Sequence, residues 1–134
     1  LAIRYLLDTN IVSFHIRESS AALRRRLSRV DASTVALSVV TEMEIRYGLA
    51  RNPGLRSADL VEAFLAGITI LPLDSEVASA YAQVRAHLES KGKPIGPLDL
   101  MIGAHALSIG ATLVTGNVGE FRRIRGLRVV DWTR

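Results

Sequence analysis

The chain has 134 residues, 49% of them hydrophobic, enough to bury a core; this excludes disorder and predicts one domain over residues 1–134. The absence of cysteine rules out thiolate–zinc sites and thiol catalysis and fits a reducing compartment. A net charge of +4 rests almost wholly on arginine, whose planar fork pairs with phosphate, so the balance leans toward nucleic acid or an acidic protein partner.

Aromatic residues are only 5% of the chain, so no stacking platform for single-stranded bases is evident. No apolar run approaches the ~20 residues needed to span a bilayer. The expectation is therefore a cytoplasmic protein with no membrane partner.

The first element is an apolar strand, Tyr5 to Leu7, ending abruptly in Asp8-Thr9-Asn10. Ile11 to Ile16 reads as a short helix that Asp8 would cap. Ser19-Ser20 offers an N-cap for a helix from Ala21 to Val30, whose surface carries Arg24, Arg25, Arg26 and Arg29. That cluster reads more simply as a solvated face than as an RNA-phosphate contact. Val35 to Val40 forms the second strand and Glu42 to Leu49 the third helix. After the break at Asn52-Pro53-Gly54, Ser57 opens a helix with Leu60, Val61, Phe64 and Leu65 on one face, ended by Gly67.

Ile68 to Leu71 is the third strand, stopped or held at an edge by Pro72. Ser75 to Ser90 is the clearest helix, with Val77, Tyr81, Val84 and Leu88 recurring at helical spacing. The Pro- and Gly-rich loop 91–97 precedes a helix from about Leu98 to Ser108, with Gly110 as its stop. Thr112 to Thr115 is a fourth strand, Gly116 to Phe121 a loop or helical turn, and Leu127 to Val130 a short fifth strand. Strands alternating with helices predict the α/β class, an α/β/α sandwich around a mainly parallel sheet of about four or five strands.

Ligands of such sheets bind at the carboxyl ends of the strands, so acids near those ends carry the information. Asp8 ends the first strand; Glu44 follows the second; Asp99 opens the helix after Gly96-Pro97; Glu120 and Asn117 follow the fourth. Each has a simpler use: Asp8 as a cap, Thr41 with Glu44 as a capping box, Asp99 as a complement to a helix N-terminus, Glu120 as a partner of Arg122 or Arg123. Four such carboxylates at one end of one sheet repel one another and need a cation to stay ionised at neutral pH. Hard oxygen donors select Mg²⁺ or Mn²⁺. His15, His87 and His105 lack metal-ligand spacing, and His105, in an apolar helix, reads as a hydrogen-bonded core residue. Mg²⁺ held by a few carboxylates suits phosphodiester hydrolysis, and the basic surface would gather RNA around the acidic pocket.

The blocks Tyr5-Leu6-Leu7-Asp8-Thr9-Asn10, Ser38 to Gly48, Pro94 to Asp99, Ala104-His105-Ala106 and Leu113-Val114-Thr115 resemble, in order, the motifs of PIN-domain toxins, specifically the VapC ribonucleases of bacterial toxin–antitoxin modules. The resemblance implies a PIN-domain-like fold and a Mg²⁺-dependent endoribonuclease with Asp8, Glu44 and Asp99 as its acidic core, Glu120 as the fourth acid and Asn117 as a polar alternative. Gly116 and Gly119 stand where relatives often carry larger residues. Glu42 is an extra acid; residues 42 and 44 differ by about 200° around a helix, so only one faces the pocket, and the alignment with Tyr47-Gly48 favours Glu44.

In the expected mechanism Asp8 and Asp99 ligate Mg²⁺, Glu44 binds metal or positions the attacking water, and Glu120 completes the outer shell. Asn10 and Thr115 hold ligands or phosphate by hydrogen bonds. The family implies cleavage to a 5′-phosphate and a 3′-hydroxyl, with the anticodon loop of initiator tRNA as a lead substrate. It also implies a VapB antitoxin, a homodimer, a hetero-oligomer with the antitoxin, and promoter DNA contacted only through the antitoxin. A phosphoacceptor receiver domain is a rival, but the acids and lysine it needs are absent from the required places. A catalytically silent PIN-fold module binding RNA or protein is the closer alternative, and it predicts loss of core acids that are present.

Overall fold

The computed structural model describes residues 2–18 and 20–134. Five strands, β1 (Tyr5–Leu7), β2 (Val35–Ser38), β3 (Thr69–Leu71), β4 (Thr112–Val114) and β5 (Val129–Val130), form one sheet in the order β3-β2-β1-β4-β5. Every pairing is parallel, including Leu6 against Ala36 and Leu113, and Leu7 against Val114. The helices are α1 (Thr9–Glu18), α2 (Ala21–Ser28), α3 (Val39–Arg51), α4 (Ala58–Ala66), α5 (Ser75–Ser90), α6 (Pro97–Ser108) and α7 (Val118–Phe121).

Parallel strands joined by helices are covered on both faces, and the period of two along each strand divides the core accordingly. Leu6, Ala36 and Leu113 face one way and pack with Val84 and Leu88 of α5, Ile102 and Ala106 of α6, and Phe121 and Ile124. Leu7, Leu37 and Val114 face the other way and pack with Ile11 and Val12 of α1, Leu23 of α2, Ile45 of α3, Val61 and Leu65 of α4, and Trp132. The predicted α/β/α sandwich is therefore observed. Close packing reaches the backbone at Gly103 of α6, where an added Cβ would lie 2.4 Å from Ile124 Cδ1.

The element boundaries hold with some corrections. Val39 and Val40 are helical rather than strand, because the Ser38 hydroxyl accepts the Val40 N–H at 3.1 Å and starts α3 at Val39, ahead of the expected Glu42. The proposed Thr41–Glu44 capping box does not form; Ser38 is the cap, and Thr41 is fully buried. Leu60 stands 62% exposed, while Val61 and Leu65 carry the buried face of α4. Ser57 makes no side-chain cap bond there. Ser20 caps α2 through the Leu23 N–H; Ser19, the other residue of that predicted cap, lies outside the described residues. β3 and β5 are shorter than the apolar runs that announce them, and β3 occupies an edge, as Pro72 predicts.

Candidate active site

The strand order reverses direction at β1, with β2 on one side and β4 on the other. A crevice opens at such a point beyond the carboxyl ends of the strands, since the following connections diverge to opposite faces. The residues just after β1 and β4, Asp8 and Thr115, meet across it. The Thr115 hydroxyl donates to Asp8 Oδ2, and the Asp8 N–H donates to the Val114 carbonyl at 3.0 Å. Asp8 Oδ1 accepts the Ile11 N–H at 2.9 Å, so the predicted helix cap exists and uses one oxygen of a carboxylate whose other oxygen accepts from Thr115. Capping and site formation are the same arrangement here.

Asp8 is 3% exposed. Burial pushes its carboxyl above the usual aspartate range, hydrogen bonds from Thr115 and the Ile11 backbone counter this, and the nearby charge of Glu44 pushes it up again. Asn10 contributes through its backbone N–H, which also favours the ionised Asp8.

Glu44 lies in the second turn of α3 and accepts a hydrogen bond from Thr9 Oγ1 at 2.5 Å. Thr9 was legible only as a turn residue; its role appears when α1 and α3 pack together. Glu42 points elsewhere, pairing with Arg46 at 2.9 Å while Arg46 also reaches Glu62 at 3.1 Å. Glu42 and Glu44 thus bond on different sides of α3, as their separation of about 200° around a helix requires.

Asp99 enters from the first turn of α6, where Pro97 at the helix start fixes the entry of the chain. Its carboxyl is pushed up to about 6, chiefly by burial, then by the charge of Glu120 and a side-chain hydrogen bond with it, and further by the charges of Asp8 and Glu44. Those interactions bring all four acids into one electrostatic neighbourhood. Glu120 is held in turn by Asn117 Nδ2, which donates to its Oε2 at 2.7 Å, while the Asn117 N–H donates to Thr115 Oγ1 at 2.9 Å. Glu120 thus engages Asp99 and Asn117 rather than Arg122 or Arg123. Asn117 and Glu120 are therefore hydrogen-bonded neighbours at the end of the fourth strand.

Among the described residues no salt bridge reaches Asp8, Glu44, Asp99 or Glu120. Nor, among them, do any three acidic or histidine side chains stand close enough as placed to enclose one ion. The donor set still fits a hard divalent cation: oxygen ligands only, buried at Asp8 and half-buried at the other three, unpaired with any base, with Asp99 raised by its acidic neighbours in a way a cation would relieve. The histidines stand apart from this chemistry. His105 is buried with Nδ1 2.8 Å from Ser38 Oγ, and burial lowers its pKa, as expected of a core residue. His15 packs edge-on against Phe64.

Comparison with known proteins agrees with this geometry. The family model for the PIN domain matches residues 5–127. A tRNA(fMet)-specific endonuclease VapC of Shigella flexneri is 38% identical over 132 residues, spanning 98% of this chain and 99% of that protein. Ribonuclease VapC2 of Haemophilus influenzae is 34% identical over 131 residues, spanning 97% and 98%. Among solved structures, DNA-bound VapBC from Salmonella typhimurium superposes with a TM-score of 0.90 at 38% identity, covering 97% of this chain and 98% of that one.

Proposed function

This chain belongs to the PIN-domain family, among its VapC ribonucleases, and from that premise we propose that Asp8, Glu44, Asp99 and Glu120 form the centre of a Mg²⁺-dependent endoribonuclease, with Mn²⁺ able to replace Mg²⁺. The whole chain would act as one catalytic domain. PIN-domain nucleases generally depend on a divalent metal. The observation that carries the choice of residues is the raised carboxyl of Asp99, which responds to Glu120, Asp8 and Glu44 together.

Asp8 and Asp99 would hold the cation, with Glu44 binding it or orienting the attacking water and Glu120 completing the outer shell. Bound there, the cation supplies a lowered water pKa and charge neutralisation at the phosphate. The chain's own residues do the rest. Thr115 and the backbone N–H groups of Ile11 and Asn10 favour the ionised form of Asp8 and oppose the upward push of its burial. Thr9 fixes the rotamer of Glu44, and Asn117 fixes that of Glu120, so neither must be ordered when substrate arrives. Asp99, whose carboxyl is raised, gives up its proton as the cation binds, which makes affinity fall with acidity. Water would attack in line, leaving a 5′-phosphate and a 3′-hydroxyl.

The lead substrate is initiator tRNA, the target named for the Shigella relative. A VapB antitoxin is the expected partner, because the Salmonella neighbour is a VapBC complex bound to DNA. By the same likeness the toxin would assemble as a homodimer within a hetero-oligomer, contact promoter DNA only through the antitoxin, and act in the cytoplasm. Incubation of the purified protein with total RNA in Mg²⁺ and in EDTA tests the reading. Cleavage that needs Mg²⁺ and disappears in folded Asp8→Ala and Asp99→Ala variants is expected; equal cleavage by either variant contradicts the assignment.

A further inference from the structure

The segment from Thr115 to Glu120 has two sides. One holds the acidic pocket, through Thr115 on Asp8 and Asn117 on Glu120. The other forms a wall of an open groove of about 680 Å³ between α2, the start of α7 and the chain after β5. Three arginines line this groove: Arg26 of α2, Arg122 just after α7, and Arg134. Arg134 approaches Asp131 at 3.6 Å, whereas Arg26 and Arg122 are exposed and, among the described residues, take part in no salt bridge. An added Cβ at Gly116 or Gly119 would meet nothing within 4 Å, so the groove wall is open at both positions.

We infer that this groove binds the RNA backbone beside the scissile bond, with Arg26 and Arg122 each pairing with a phosphate; the inference rests on the ribonuclease reading above. A polyanion threading toward four carboxylates meets repulsion that a cation in the pocket offsets only locally. Guanidinium groups one loop away hold the flanking phosphates where that repulsion has weakened, and their forked donors match phosphate oxygens. Charge elsewhere on α2 does not serve equally. Arg29 lines a separate recess with Arg4 and Ala2, at the amino ends of the strands and away from the acids. The groove that touches Glu44 carries Arg17 and Arg51, but its exposed surface is mostly apolar, from residues such as Val12, Ile16, Leu49 and Val61, and suits a peptide better than a phosphate chain.

The test compares two charge-matched double variants of the full chain, Arg26→Gln/Arg122→Gln and Arg4→Gln/Arg29→Gln, by fluorescence anisotropy with a fluorescein-labelled RNA stem-loop in EDTA. Loss of two phosphate contacts flattens the slope of log affinity against log salt by about 1.4, so that raising salt from 50 to 200 mM weakens the groove variant roughly sevenfold less than wild type. The control pair keeps the wild-type slope. Equal slopes for the two doubles, or a groove variant that loses affinity for an acidic peptide while binding RNA as wild type does, would overturn the inference. Wild-type protein that binds the stem-loop yet cleaves no RNA in Mg²⁺ would instead count against the nuclease reading, so the two failures are distinguishable.

Discussion

Replacing Asp99 with asparagine should make the protein more stable while destroying its activity. The raised carboxyl of Asp99 means that the folded protein holds a proton more tightly than the unfolded chain does. Stability therefore falls as pH rises from the ordinary 3.8 through about 6, and the penalty is complete above that point. The difference corresponds to about 3 kcal/mol, reduced to roughly 1–2 kcal/mol by solvent screening at this part-exposed position. Asparagine has the same shape and can still donate to Glu120, but carries no charge. In EDTA at pH 7.5, Asp99→Asn should raise Tm by about 3–8 °C for a chain of this size. The gain should shrink toward zero by about pH 4, where wild-type Asp99 is itself protonated. Adding Mg²⁺ should raise the wild-type Tm by linkage and leave the variant unmoved. Paired thermal melts across pH, with and without Mg²⁺, read all of this. A variant no more stable than wild type at pH 7.5, or a gain that persists unchanged at pH 4, would refute the electrostatic reasoning.

Thr115→Val removes the hydroxyl bonded to Asp8, a charge-assisted contact worth about 1.5–3 kcal/mol. It should lower RNA cleavage about 10–100-fold and move the acidic limb of the pH–rate profile upward, because Asp8 then ionises less readily. Glu42→Gln should lose only an exposed pair with Arg46, less than about 1 kcal/mol, and cleave RNA as wild type does, whereas Glu44→Gln should be severely impaired; rate assays on both separate the two acids. Gly103→Ala should destabilise by about 1–3 kcal/mol in urea, because Ile124 is buried and has little room to retreat.

What could be read from the sequence follows a physical divide. β1 and its terminal aspartate were legible because an apolar run gives way at once to polar turn residues, and that contrast is local. α5 was legible to the residue because its helically spaced apolar residues run unbroken from Val77 to Leu88. The start of α3 was misplaced because Val39 and Val40 favour strands, a preference that the Ser38 cap on the Val40 N–H and the packing of Val40 in the core together override. Acids near strand ends could be shortlisted from sequence, but their partners could not. Thr9 and Glu44 are 35 residues apart, and Thr115 and Asp8 are 107 apart. The bond from Asn117 to Glu120 spans only three residues, yet it depends on the turn that opens α7, which the sequence leaves open as a loop or a helical turn.

The most direct measurement is anomalous diffraction from crystals of the protein soaked in Mn²⁺. The strongest peak should fall in the crevice between β1 and β4, bonded to carboxylate oxygens of Asp8 and Asp99, and should vanish in crystals of Asp99→Asn. A peak coordinated elsewhere, with that crevice bare while the same preparation cleaves RNA, would contradict the central assignment.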